Sequence, residues 1–207
     1  RVTATNLMAF IKTVRDRFDP EISDFEDLYT WSIDQPENFW TELWDYTGII
    51  AKTRGATIVK DIDKLPGARW FPEARLNFAE NLLRRRDDAP ALIFSDEQAR
   101  RRDLSHGDLY NAVSRLAQAL ADCGVVAGDR VAGFLPNIPE AAIAMLAATS
   151  LGAVWSSCSP DFGIKGVMDR FGQIEPKVLF TADGYSYAGK SIDSLARAKA
   201  IAGQLPG

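Results

Sequence analysis

The residues best suited to chemistry lie near the end of the chain, where Gly184-Tyr-Ser-Tyr-Ala-Gly189-Lys190-Ser191 fits the pattern G-x-x-x-x-G-K-[ST]. In that pattern backbone amides cradle a phosphate, the lysine reaches it and the hydroxyl supports a magnesium ion. The flanking pattern predicts a strand over 177–181 and a helix over 191–201, so helix-end amides, a cation and a hydroxyl would converge on an anion. Two features oppose a phosphotransferase loop. Such enzymes need a later strand carrying a magnesium-orienting aspartate, and only 16 residues follow Ser191. Two tyrosines would also crowd a tight anion nest. Three readings stand: a phosphotransferase loop, an ordinary β-hairpin or strand extension, and an anion site of another kind.

Other chemistry is narrowed by composition. Two cysteines, Cys123 and Cys158, and one histidine, His106, cannot build a Cys/His zinc site or a disulfide framework. A reducing cytoplasm is therefore expected. Both cysteines read as buried small hydrophobes, and His106 as a solvent-facing structural residue in a first helical turn. The basic triplets at 84–86 and 100–102 are each followed by aspartates, which predicts solvated turns. With 24 Lys+Arg against 28 Asp+Glu, the chain is a poor nucleic-acid binder. No apolar run reaches the length of a membrane span, and the polar start RVTATN is not read as a secretory signal. Chemistry must come from backbone groups, hydroxyls, carboxylates and Lys/Arg.

The elements that would position these groups follow from periodicity. Leu7, Phe10, Ile11, Val14 and Phe18 predict an amphipathic helix over 3–18. A second begins at Pro36 and ends at Gly48, its aromatic stripe of Phe39, Trp40 and Trp44 suited to docking. From residue 91 short strands and helices alternate: a strand at 91–94, a turn at 95–102, and a helix capped by Ser105 and Asp108 that stops at Gly124. Strands at 131–135, 153–158 and 177–181 alternate with helices from Pro139, Gly163 and Ser191. This predicts an α/β fold with a doubly wound, mainly parallel sheet, preceded by a helical extension. Ligands then bind beyond the carboxyl ends of the strands, which singles out 136–139, 156–163 and 183–191. Trp155 and Cys158 should face opposite sides of the sheet, Trp155 as core packing or, alternatively, as the wall of an acyl or coenzyme tunnel.

The run GDRVAGFLPNIPEAAIAMLAATSLGAVWSSCSPDFG over 128–163 resembles the early core of acyl-CoA synthetases of the adenylate-forming superfamily. RWFPEARLNFAENLL at 69–83, WSSCSPDFG at 155–163 and DRFGQIEPKVLFTADGYSYAGK at 169–190 narrow the resemblance to the acetoacetate-activating branch. FWTELWDYTGI at 39–49 is similar to the family's N-terminal helical extension. The resemblance implies a two-step ligase that uses acetoacetate, ATP, CoA and Mg2+, with the rest of its own chain as a partner and no nucleic acid or membrane.

It also implies residue roles. The segment of 184–191 would place cations at the phosphorylated nucleotide end of CoA, where the family's two arginines correspond to Tyr187 and Lys190. Lys190 keeps a point charge without the arginine fork, whereas Tyr187 keeps a hydroxyl or ring face. Gly189 beside them, and Asp161 and Phe162 in the loop after the 153–158 strand, complete the CoA-binding set; Ser-Pro-Asp-Phe at 159–162 replaces the Gly-Gly-Phe-Ser type of acetate-activating relatives. The family's phosphate loop, adenine motif, ribose aspartate and catalytic lysine are expected downstream of Gly207. The expected division is 1–83 for the helical extension and 84–207 for the first part of the large α/β domain, and the 207 residues alone are expected to be inactive. A stand-alone nucleotide- or partner-binding module and a P-loop phosphotransferase remain the alternatives.

Overall fold

The structure, a computed structural model, describes residues 4–206; Thr3, the expected helix start, and the rest of the polar start at 1–3 lie outside the described residues. The chain divides into two compact units, the first ending at Leu76 and the second beginning at Asn77.

In the first unit, α1 (Asn6–Arg17) starts where the Thr5 side chain accepts a hydrogen bond from the Met8 amide. α2 (Phe25–Asp34) is closed by a reciprocal capping box between Asp24 and Asp27. α3 (Pro36–Thr47) has proline in its first turn, where the missing N–H costs nothing, and ends at Gly48 with φ 64°, the left-handed cap that glycine allows. Phe10, Ile11, Val14, Ile22, Leu28 and Trp31 form the buried core of these helices, with Phe39 and Leu43 against it. Within this core Glu42 is buried and meets the Arg17 guanidinium at 2.5 Å. A two-stranded antiparallel ribbon, β1 (Val59–Lys60) with β2 (Arg69–Trp70), follows. Glu73 then accepts from the Ala56 and Thr57 amides and the Thr57 hydroxyl, and these bonds hold its carboxyl below the usual range.

The second unit opens with α4 (Phe78–Leu82), whose N-cap Asn77 donates its side-chain amide to the carbonyls of Thr149 and Ser150. An antiparallel hairpin follows, β3 (Pro90–Ser95) with β4 (Arg101–Ser105). The expected turn at 95–102 is thus shorter, and Arg101 and Arg102 sit in a strand, because alternation continues through Leu104 to the cap of the next helix. That helix, α5 (His106–Asp122), has the expected Ser105–Asp108 capping box. His106 is half-buried rather than solvent-facing. Cys123, at the helix C-cap, is exposed; the end of the helix leaves the core before reaching it, unlike the expected burial.

The centre is β5 (Arg130–Phe134), α6 (Pro139–Ser150), β6 (Val154–Cys158), α7 (Ile164–Ile174) and β7 (Val178–Thr181). The three strands are parallel in the order β6-β5-β7. The chain leaves β5 for β6 on one side through α6, then crosses back over β5 to β7 through α7. Right-handed crossovers therefore place the two helices on opposite faces. Val131, Trp155, Val178 and Phe180 pack with Leu146, Ala147 and Ala148 of α6, and with Leu109 and Val113 of α5. Ala132, Phe134, Cys158 and Leu179 pack with Val167 and Phe171 of α7. Trp155 and Cys158 thus face opposite sides as expected, and burial pushes the Cys158 thiol up, which keeps it unreactive.

The chain ends in β8 (Gly184–Tyr187), β9 (Lys190–Asp193) and α8 (Leu195–Ala202). β8 and β9 are an antiparallel hairpin, so Ser191 lies in a strand and the last helix begins at Leu195. Ile192 pairs with Tyr185 across this hairpin, which gives 190–193 a strand partner that local helical periodicity cannot register.

Gly133 has a definite cause: a Cβ there would meet Trp155 ring carbons at 2.6 and 2.7 Å. The strand can carry the large ring on this face only because its neighbour has no side chain. Gly133→Ala is expected to destabilise the chain by about 1–3 kcal/mol through overpacking. In a Trp155→Leu background the same change costs less, because the atoms that the new methyl meets are gone. Urea unfolding of the four variants checks both statements, and an equal cost in the two backgrounds refutes the contact.

Candidate functional site

Beyond the carboxyl ends of β5, β6 and β7 lies a crevice of about 720 Å3. Its floor is Pro136, Asn137 and Ile138 after β5, Ser159–Asp161 after β6, and Ala182–Asp183 after β7. One wall is the β3–β4 hairpin, including Phe94, Glu97 and Arg100–Arg102; the other is the β8–β9 hairpin through Tyr185 and Tyr187. All three segments singled out from the sequence border it, as the strand order requires.

The floor carries one organised polar group. Asp161 accepts from the Tyr185 hydroxyl at 2.8 Å and from the Ser159 hydroxyl at 2.9 Å. These two bonds, with the nearby Arg197, hold its carboxyl below the usual range. Tyr185 is pushed up, first by burial and then by the Asp161 carboxylate it donates to. Arg197 donates to the Pro160 carbonyl and so ties α8 to the same loop.

The basic triplet at the other wall is neutralised locally. Arg100 pairs with Asp96, Arg101 with Asp103 at 2.8 Å, and Arg102 with Glu140 at 2.7 Å. Lys190 differs: it is exposed and forms no ion pair among the described residues.

Of the predicted site residues, Tyr187 and Asp161 border the crevice. Gly189, Lys190 and Phe162 stand outside its lining. Gly189 shares the hairpin turn with Ala188, at φ 71° and φ 50° respectively. Both central residues in the left-handed region make a two-residue turn of the primed type, whose twist matches the strands it joins. Phe162 stacks under the Arg170 guanidinium, 4.4 Å from the ring centroid. The phosphotransferase reading of 184–191 fails on this geometry: it needs strand, loop and helix, whereas the segment forms strand, turn and strand. Its amides are also engaged. Those of Ala188 and Gly189 donate to the Glu97 carboxylate, each at 2.9 Å. Sequence reasoning missed Glu97, Tyr185 and Arg197. Only Tyr185 carried a signal, lying inside the suspected loop.

Two family models match the chain. "AMP-binding enzyme" covers residues 78–206, and "Acetyl-coenzyme A synthetase N-terminus" covers residues 25–82. The chain belongs to the AMP-binding enzyme family. Within it, the chain is 45% identical over 204 residues to the acetoacetyl-coenzyme A synthetase of Rhizobium meliloti (strain 1021), a match spanning 99% of this chain and 31% of that protein. It is 37% identical to the malonamoyl-CoA synthetase of Penicillium aethiopicum, over 98% of this chain and 29% of that protein. The solved acetoacetyl-CoA synthetase from Streptomyces lividans superimposes with a TM-score of 0.92 at 38% identity, covering 99% of this chain and 32% of that one. The chain thus spans about a third of the length of the AMP-binding enzymes it matches. In the described residues of this family member, no helix is long and apolar enough to cross a membrane.

The Asp161 geometry sets a pH dependence. Its carboxyl is depressed in the folded chain, so its contribution to stability is present above the unfolded value and is lost as pH falls through the folded one. Tyr185→Phe removes the donor with the largest influence and is expected to raise the Asp161 midpoint toward the ordinary value, narrowing that acid window. Carbon-detected NMR titration of the side-chain carboxyl measures it; an unmoved midpoint rejects the assignment.

Proposed function

We propose that this chain acts as the N-terminal portion of an acetoacetate–CoA ligase, with the rest of a polypeptide of the relatives' length. In the reaction, a carboxylate oxygen of acetoacetate attacks the α-phosphorus of ATP and pyrophosphate leaves, giving acetoacetyl-adenylate. The CoA thiol then gives up its proton and adds to the acyl carbon, and AMP leaves. The observation that carries the reading is the match to acetoacetyl-CoA synthetases along nearly the whole chain, in sequence and in fold. Acetoacetate as the acyl substrate and the cytoplasm as the compartment are part of the same proposal. A relative named malonamoyl-CoA synthetase is 37% identical over this segment, which fits our reading that acyl selection belongs to residues outside it.

The role we assign within these residues is holding the nucleotide end of CoA. The crevice lies at the topological position where open α/β sheets bind ligands, and Tyr187 and Asp161 line it. Lys190 pairs with Tyr187 across the hairpin and carries an uncompensated charge, which suits a phosphate. Gly189 lets the turn form, and Phe162 offers a half-exposed ring beside the Asp161 loop.

Calorimetry with CoA and dephospho-CoA tests this role. Lys190→Ala is expected to weaken CoA about tenfold, the size of one charge-assisted contact at an exposed site, and to leave dephospho-CoA nearly unchanged. Equal losses for both ligands reject the phosphate contact.

A further inference from the structure

Among the described residues, the carboxylate of Glu97, at the tip of the β3–β4 hairpin, makes a long-range polar link between the two walls of the crevice. It bonds the amides of Ala188 and Gly189, which lie 91 and 92 residues away in sequence. The two oxygens divide the work: Oε1 accepts from Ala188 and Oε2 from Gly189. Both sides are shaped before they meet. In the tip, Asp96 accepts from the Gln98 and Arg100 amides at 3.0 and 2.8 Å and from the Arg100 side chain, while Ala99 takes φ 56° to turn the chain. In the opposite turn, Ala188 holds φ 50°, a region that side chains enter at a cost of about 1 kcal/mol. Its amide and that of Gly189 point away from their own ladder, whose pairs are Tyr187 with Lys190 and Ser186 with Ser191. Two adjacent donors of this kind form a small anion-binding concavity, and the chain fills it with its own carboxylate.

We propose that Glu97 is a positioning residue: by clamping the β8–β9 turn to the opposite wall it fixes Tyr187 and Lys190 for a phosphorylated nucleotide, an inference that rests on the CoA role above. It acts through the turn, without touching the ligand. The motif's backbone amides are therefore withheld from the ligand phosphate. Recognition falls to the Lys190 ammonium and the Tyr187 hydroxyl, whose placement depends on the turn being held. A hairpin turn loose at this point would leave Lys190 a mobile point charge, able to attract any anion and to prefer none.

Amide hydrogen exchange on the chain, read with CoA and dephospho-CoA affinities, tests this. In Glu97→Ala, exchange at Ala188 and Gly189 is expected to accelerate by about tenfold or more, while thermal unfolding stays near that of the parent. Glu97→Gln, whose Oε1 still accepts one bond, restores part of the protection. The preference for CoA over dephospho-CoA falls toward one in Glu97→Ala, a change that a purely structural contact would not produce. If Glu97→Ala does not fold, the Gln variant carries the test, with intermediate protection and intermediate preference expected. Unchanged exchange overturns the clamp. Tighter CoA binding in either variant also overturns it, because Glu97 would then be a competitor for the same anion. If the parent chain does not distinguish the two ligands, the coenzyme role has failed, and the exchange rates alone decide the clamp.

Discussion

The constraint on which the second unit depends is the position of β5 between two parallel neighbours reached by crossovers of one hand. β5 must bury both faces, and it does so with Val131 toward α6 and with Ala132 and Phe134 toward α7. Because the chain passes from β5 to β6 and then back over β5 to β7, the loops leaving β5 and β6 separate at their carboxyl ends. The gap is a consequence of chirality. Everything assigned to the crevice, from the Asp161 loop to the two hairpins, hangs from that divergence. Packing tolerances inside the sheet serve the same end. The absence of a side chain at Gly133 admits the Trp155 ring, which meets Phe180 at 6.2 Å and steadies the strands whose ends form the floor.

How far this was legible in the sequence depends on how local each signal is. Ser105 with Asp108, Pro36 with Gly48, and Pro139 after an apolar strand all act within one turn of the backbone they shape, and each marks an element boundary in the structure. α2 carried an equally local signal, the Asp24–Asp27 box, whose weight is easily lost because aspartate at both positions reads as surface charge. The parallel sheet and its three loops were legible because strand–helix alternation leaves few topologies. The segment 184–191 was not, because a glycine-rich turn with Lys-Ser serves a phosphate loop or a hairpin equally well. The alternatives are separated by the pairing of Tyr185 with Ile192 and by a carboxylate in another hairpin, both set by tertiary structure. Cys123 shows the same limit at one residue: helical phase alone cannot tell that the core ends before the helix does.

Charge in the crevice follows a consistent rule. Each arginine of the 100–102 triplet has a carboxylate on its own or a neighbouring element, and Asp161 is held by two hydroxyls. The paired arginines shape one wall while exerting little net field on a ligand, since an exposed pair in water attracts a third charge weakly, whereas Asp161, bonded only to neutral hydroxyls, keeps its negative charge. Lys190 is outside this rule, with a cation left over and a neighbouring turn whose amides would themselves attract an anion. Left open, that turn and that lysine would compete for one phosphate and blur its position. Under the proposed coenzyme role, filling the turn with Glu97 would remove that competitor and leave the Lys190 ammonium to meet the phosphate. The carboxylate is itself exposed, so the bonds add little to global stability. Their effect is geometric: they join the tips of two hairpins across the crevice that the strand order created.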